Sequence, residues 1–389
     1  MNLGTYIQVP FCQSKCTYCN FRTGVFSAGL YKPYVSAVCS ELAGRPTLYE
    51  AQGLGIPGCE WADLAVDTIY IGGGTPSLLH AEDLKRIIEM LCAGFRTSLA
   101  EVTLEADPET IMAEKAAAWR RAGINRISLG VQSFHDAELK AAGRMHRRSD
   151  IFEAVRRLRE QAFANISCDL IAGLPHQTAA SWRESLEELL RLRPEHISVY
   201  LLEVDEGSRL GREVLSGGGR YSAGSVPSDD QMADSYQQAC ERLSESGYVH
   251  YEISNWALPG MESRHNLKYW RREPYLGFGA GAHSFNGRER WANTHDPAAY
   301  VAAIAEGRLP VEQREVISAA QALEEELFLG LRQLEGIDLS RIEREYNVNL
   351  SPRIEKLVEA GLLERDGSRL RLAPARLAVS NEVFVELLM

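Results

Sequence analysis

The chain has 389 residues, room for two or three domains of roughly 100 to 200 residues each, or for one barrel of about 250 with a small appendage. Its 45% hydrophobic and 24% charged residues, with 32 Gly and 15 Pro, exclude a disordered or fibrous chain. A net charge of −11, from 42 Lys plus Arg against 53 Asp plus Glu, argues against bulk nucleic-acid binding, and the absence of a long apolar run or a basic-then-apolar start predicts no membrane span, no secretory signal and a cytoplasmic location.

From the N-terminus, short runs rich in Val, Ile, Tyr and Leu predict strands over Thr5 to Val9, Asp67 to Ile71, Glu101 to Glu105, Asn125 to Leu129, Asn165 to Ile171 and His196 to Leu202. Amphipathic segments separate them. Leu84, Ile87, Ile88 and Leu91 follow the i, i+3, i+4, i+7 stripe of a helix, and Ile111 to Ala122 and Ser181 to Leu192 behave alike. Six βα units in succession predict an α/β fold with a parallel sheet and right-handed crossovers. Its glycine-rich and polar residues follow the strands: the cysteine loop, Gly72-Gly73-Gly74-Thr75-Pro76, Glu105-Ala106-Asp107-Pro108 and Gly130-Val131-Gln132. That placement favours a partial (β/α)6 TIM-like barrel over an open doubly wound sheet, because a barrel gathers its site at the carboxyl ends of its strands.

Gly211 to Pro227, with three consecutive glycines, reads as a flexible loop, and Tyr251 to Asn293 lacks clean periodicity and reads as a segment covering the open side of the sheet. Beyond about Val316, helices over Glu324 to Leu334, Leu339 to Tyr346 and Ser351 to Glu359 precede a hairpin turned at Asp366-Gly367, the pattern of a small winged-helix-like α+β domain. From Val311 onward there are 10 Lys plus Arg against 15 Asp plus Glu, so this domain reads as a packing or docking module and not as a DNA reader. The expected domains are 1–225 (barrel), 226–315 (barrel completion and cover) and 316–389 (C-terminal domain).

The eight cysteines are unevenly spread. Cys39, Cys59, Cys92, Cys168 and Cys240 are isolated and read as small buried apolar residues, whereas Cys12, Cys16 and Cys19 form a C-x3-C-x2-C loop directly after a strand. Three thiolates on a short loop suit three corners of a 4Fe-4S cluster, leaving one iron open. Zinc is the competing reading; it wants four closed ligands, and no nearby His or fourth Cys completes a set, Phe21 standing where another thiol would fall.

With this loop and Gly72-Gly73-Gly74-Thr75-Pro76 in the expected order, the sequence resembles the radical S-adenosylmethionine superfamily. The segments Tyr6 to Phe21, Tyr70 to Ser77, Thr103 to Pro108, Arg126 to Phe134, Asp169 to Pro175 and His265 to Trp270 resemble the branch that holds the oxygen-independent coproporphyrinogen III oxidases and the HemW-type haem chaperones. The resemblance implies a 4Fe-4S cluster on Cys12, Cys16 and Cys19, and an S-adenosylmethionine pocket lined by Tyr6, Tyr18, Gly73, Gly74, Thr75, Glu105, Gln132, Arg144 and Asp169. On physical grounds Asp169, in a strand buried on both faces, needs a partner such as a ribose hydroxyl or Arg144; a structural salt bridge is the plainer alternative.

Within the branch, three features favour the chaperones: Asn20 and Phe21 follow Cys19 where the oxidases have a further cysteine, only eleven residues precede Cys12, and His265-Asn266-Leu267-Lys268-Tyr269-Trp270 fits their H-N-x-x-Y-W motif. The expectation is a protein that carries haem to an apo-haemoprotein, such as one of the respiratory chain, with His265 as a haem-binding residue; in the plainer reading His265 caps a turn. The alternative is an oxygen-independent coproporphyrinogen III oxidase or a related radical methyltransferase. His283 is a secondary candidate that reads foremost as a satisfied buried histidine. Monomer and homodimer both remain open at this point.

Overall fold

The computed structural model describes residues 2–387. Six strands alternate with helices along the first half: β1 (Asn2–Val9), β2 (Ala65–Gly73), β3 (Arg96–Ala106), β4 (Arg126–Gln132), β5 (Ile166–Ala172) and β6 (His196–Leu201). Each pairs in parallel with the next. The crossovers contain the helices Tyr31–Ala51, Ala81–Gly94, Ala113–Arg121, Arg148–Glu160 and Ala179–Leu192. Leu84, Ile87, Ile88 and Leu91 are the buried residues of the second of these helices, as their spacing requires. The six-stranded α/β barrel segment therefore forms as expected.

Six further strands extend this sheet at both ends: β7 (Val249–Glu252), β8 (Asn255–Ala257), β9 (Tyr275–Phe278), β10 (His283–Phe285), β11 (Glu289–Asn293) and β12 (Val311–Val316). The order is β12-β11-β10-β9-β1-β2-β3-β4-β5-β6-β8-β7. Strand β9 runs parallel to β1, and the remaining additions are antiparallel. Tyr251 to Asn293 thus joins the sheet on both flanks instead of simply covering it; its strands are three to five residues long, too short to register as periodicity. The edges β12 and β7 do not pair with each other among the described residues, so the barrel is partial. Strand β12, Val-Glu-Gln-Arg-Glu-Val, is exposed along most of its length, and its charged side chains discourage further pairing at that edge.

The stretch from Gly211 is also more ordered than expected, since Arg209–Leu215 is helical and begins under a Ser208 cap. The next long helix, Asp229–Glu245, starts with a capping box between Ser228 and Gln231. Trp182 on the helix Ala179–Leu192 is fully buried and donates its indole N–H to the Ser235 carbonyl at 2.7 Å, tying these two helices together.

The C-terminal segment contains helices Ala319–Gly330, Leu339–Tyr346 and Ser351–Glu359 and the three-stranded sheet of β13 (Ile337–Asp338), β14 (Leu363–Asp366) and β15 (Arg369–Leu372), in the order β13-β15-β14. These three helices and a small sheet whose hairpin turns at Asp366 and Gly367 match the winged-helix-like expectation, and a fourth helix, Ser380–Leu387, follows the hairpin. The segment is not separate in its packing. Leu323, Leu327, Ile342, Ile354 and Leu370 share one buried cluster with the barrel, and Ile253 and Leu334 donate backbone hydrogen bonds across the junction to Arg332 and Tyr251. No described helix is long and apolar enough to cross a membrane.

Candidate cluster and cofactor site

A strand exposes alternate residues to opposite faces, and on β4 and β5 the buried apolar set is Ile127, Leu129, Val131, Cys168 and Leu170. The other face is polar. Arg126, Ser128, Gly130 and Gln132 on β4, Ser167 and Asp169 on β5, and His196, Ser198 and Tyr200 on β6 line one cavity of about 640 Å³ together with Tyr70 and Glu105. The inside of this partial barrel is a chamber walled by polar side chains and not a filled apolar core.

Cys12, Cys16 and Cys19 lie on the wall of that cavity, none in a disulfide. The backbone fixes their loop. Cys12 N–H donates to Gly24 (2.8 Å), Gly24 N–H to Pro10 (3.0 Å), Thr17 N–H to Ala142 (3.0 Å) and Leu210 N–H to Thr17 (2.8 Å), so the chain at Gly24, Ala142 and Leu210 holds the eight residues of loop. Arg144 donates to Cys16 Sγ at 3.4 Å. Burial pushes the thiols of Cys12 and Cys19 above their ordinary range, a bias that metal binding must overcome by displacing the protons. Among the described residues no three metal-ligating side chains close on a single ion. Three thiols on one cavity wall, with Phe21 67% exposed and no fourth sulfur beside them, fit a cluster with one iron left free of protein ligand.

The glycine turn sits against this loop because nothing larger fits. Gly74 and Thr75 donate to the carbonyls of Val9 (2.8 Å) and Phe11 (2.7 Å), and a Cβ on Gly74 would lie 2.6 Å from the Phe11 carbonyl and 3.0 Å from Cys12 Sγ. Gly73 adopts φ +115°, which L side chains avoid, and a Cβ there would strike the Gln8 amide. Glu105 receives the Gly73 N–H (2.9 Å) and the Tyr70 hydroxyl (2.9 Å). Burial nevertheless pushes its carboxyl up to about 7, against the opposing pull of those two hydrogen bonds. Thr75 donates to Asp107 (3.0 Å), whose carboxylate also pairs with Arg144.

Tyr18, Gly73, Gly74, Thr75, Glu105, Gln132, Arg144 and Asp169 all line the cavity with the three cysteines. Several carry features that a bound polar ligand explains. The buried Oδ1 of Asp169, Oε1 of Gln132 and Nε of Arg144 have no hydrogen-bond partner, and Gln132 holds φ +66° within a strand. Arg144 is not the hydrogen-bond partner that the sequence suggested for Asp169; it is engaged by Asp107 and by the Gly130 carbonyl (2.9 Å), and Asp169 is left with the hydroxyls of Ser198 and of Ser128, the latter at 3.4 Å. Glycine cradle, unpartnered polar atoms and thiols on one wall together fit S-adenosylmethionine beside a cluster.

Two expected residues are placed otherwise. Tyr6 is outside the lining and lies beside Tyr70, its register partner on β2, with the two rings stacked and their centroids 5.9 Å apart. His265 is also outside it, only 1% exposed, with Nδ1 3.0 Å from the Thr68 hydroxyl and Nε2 2.9 Å from the Tyr269 hydroxyl. Burial first, then the charges of Lys268 and Arg126, hold its imidazole down at about 3. Both ring nitrogens are engaged, so in this conformation His265 does not present a ligand to haem; Asn266, its neighbour in the H-N-x-x-Y-W segment, is the residue that lines the cavity. His283 lies on β10, exposed and outside the lining. Residues missed from sequence include Tyr70, Asp107, Arg126, Ser128, His196 and Ser198. Their signal was present: polar residues alternating along strands expected to be apolar throughout.

Residues 6–189 match the model of the radical SAM superfamily, and residues 317–375 match the HemN C-terminal domain. The chain is 36% identical to the heme chaperone HemW of Bacillus subtilis, covering 97% of each sequence. It is 31% identical to the heme chaperone HemW of Escherichia coli, covering 93% of this chain and 87% of that protein. Among solved structures, the Escherichia coli coproporphyrinogen III oxidase HemN superposes with a TM-score of 0.83 at 23% identity, over 100% of this chain and 90% of that one, which establishes the shared fold. The chain belongs to the HemW family of the radical SAM superfamily.

Proposed function

We propose that this protein binds haem and delivers it to an apo-haemoprotein, using the barrel to hold a 4Fe-4S cluster on Cys12, Cys16 and Cys19 with S-adenosylmethionine beside it. The observation that carries the reading is similarity along the whole chain, 97% of each sequence, to a relative named as a heme chaperone. Phe21 supports it, because it supplies no thiolate and stands 67% exposed at the cavity rim, an apolar surface where the oxidase pattern has sulfur. When bound, a cluster with one open iron supplies one-electron chemistry and a position for the amino and carboxylate groups of S-adenosylmethionine. The chain's own residues orient and shield: the Gly73-Gly74 turn admits close approach, Glu105 fixes that turn, and Asp169 and Gln132 offer acceptors.

The experiment is a transfer assay. Reconstituted protein loaded with one equivalent of haem is mixed with an apo-haemoprotein of distinct absorbance. Transfer faster than from free haem or albumin-bound haem supports the reading; retention of haem, or transfer no faster than those controls, contradicts it.

A further inference from the structure

Arg126 begins β4 on the floor of the chamber. It is 2% exposed and lines the cavity, yet its Nε has no hydrogen-bond partner and, among the described residues, no carboxylate pairs with its guanidinium. A buried Arg without a partner is rare, since desolvating the charge is costly unless something compensates it. The carboxylates nearby are committed elsewhere or set apart. Glu101 accepts from the backbone of Arg264 (2.9 Å) and His265 (3.3 Å) and from Thr103 (3.2 Å), which anchors the helix Arg264–Trp270 across the barrel floor. Asp169 feels the positive charge of Arg126 but is hydrogen-bonded to Ser198 and Ser128.

The histidines beside Arg126 add no charge, since burial holds both His196 and His265 below their ordinary values. The same chamber wall carries the amide of Asn266 and the hydroxyls of Ser128 and Ser198, both of which Asp169 also draws on. A fixed cation with hydroxyl and amide donors in a desolvated pocket is the complement of a carboxylate, and a guanidinium can take both oxygens at once.

We propose that Arg126, with Ser128, Ser198 and Asn266, forms a carboxylate subsite at the floor of the barrel that receives one propionate of haem. The proposal rests on the haem-binding reading and refines it: it gives the Arg264–Trp270 helix the task of closing that floor, and gives the buried guanidinium of Arg126 a counter-charge.

The test compares haem with haem dimethyl ester, in which both propionates are masked, by Soret titration of the reconstituted full chain and of Arg126→Met. Wild type is expected to favour haem over the ester by about tenfold or more, a gap of roughly 1.4 kcal/mol or larger, and Arg126→Met to reduce that preference to about twofold with ester affinity unchanged. The unfolding midpoint of the variant is expected not to fall, because an apolar chain replaces an unpaired charge. S-adenosylmethionine binding, measured by equilibrium dialysis, is expected to persist. The subsite is refuted if wild type binds haem and ester equally, if Arg126→Met keeps the full preference, or if the variant loses S-adenosylmethionine while keeping it. Wild type that binds neither porphyrin refutes the haem reading itself. Should Arg126→Met fail to fold, Arg126→Lys keeps the charge without the fork, and a preference reduced several-fold is expected; an undiminished one refutes the subsite.

Discussion

Glu105 accepts the backbone N–H of Gly73 through Oε2 at 2.9 Å, so a carboxylate on β3 fixes the glycine turn that follows β2. The turn in turn buttresses the cysteine loop through Gly74 and Thr75, which makes Glu105 part of the support of the cluster loop as well as of the cavity wall.

That role carries a pH signature. Burial raises the Glu105 carboxyl from 4.5 to about 7, so the unfolded chain ionises first as pH rises. Below pH 4.5 both states hold the proton; between 4.5 and about 7 the folded state loses stability, on the order of 2–3 kcal/mol from this group. Chemical denaturation at pH 5 and pH 8 is expected to show wild type weakening relative to Glu105→Gln by that order. A gap independent of pH contradicts the assignment.

Gly74→Ala places a methyl group against the Phe11 carbonyl and Cys12 Sγ, neither of which is a flexible chain end. The expected cost is about 1–3 kcal/mol of stability, with iron content after anaerobic reconstitution falling because the loop is displaced. Gly219→Ala, where nothing lies within 4 Å of the added atom, is the control for iron content.

His265 has the opposite sign from Glu105. Its imidazole is held at about 3 instead of 6.5, so the unfolded chain takes up the proton first as pH falls. The stability this neutral ring contributes is complete above pH 6.5 and declines below it. Between pH 7 and pH 5, wild type is expected to lose about 2 kcal/mol more than His265→Gln in denaturation. Haem binding by that variant is expected to keep its Soret position. A shifted Soret band would mean that the ring leaves Thr68 and Tyr269 to take the iron.

Asp169→Asn keeps the size of the side chain and removes its charge. Because the buried Oδ1 has no hydrogen-bond partner among the described residues, S-adenosylmethionine is expected to bind roughly tenfold more weakly, measured by equilibrium dialysis, in line with about 1.5–3 kcal/mol for a hydrogen bond to a charged group. Unchanged affinity would show that the ligand does not use this oxygen.

The six parallel strands, the cysteine loop and the C-terminal hairpin were legible because each leaves a local trace: an apolar run, a ligand spacing, a turn dipeptide. The strands β7 to β11 were not, since segments of three to five residues are fixed by their neighbours in the sheet and leave no period of their own. The chamber floor escaped for a related reason. Arg126, Ser167 and His196 are unremarkable one at a time, and only the register of β4, β5 and β6 places Ser167 beside His196, with Arg126 on the same lining. His265 shows the converse: its motif was plain, but which way the ring faces is decided by Thr68 and Tyr269, and the sequence does not pair them.

The central claim is that this barrel carries haem and does not oxidise a porphyrinogen. The most direct measurement places anaerobically reconstituted protein, S-adenosylmethionine and a reductant in parallel with haem and with coproporphyrinogen III, following the Soret band in one and protoporphyrinogen IX formation in the other. Stoichiometric haem binding without turnover of coproporphyrinogen III is the predicted result; sustained multiple turnover to protoporphyrinogen IX, with no saturable haem binding, would contradict it.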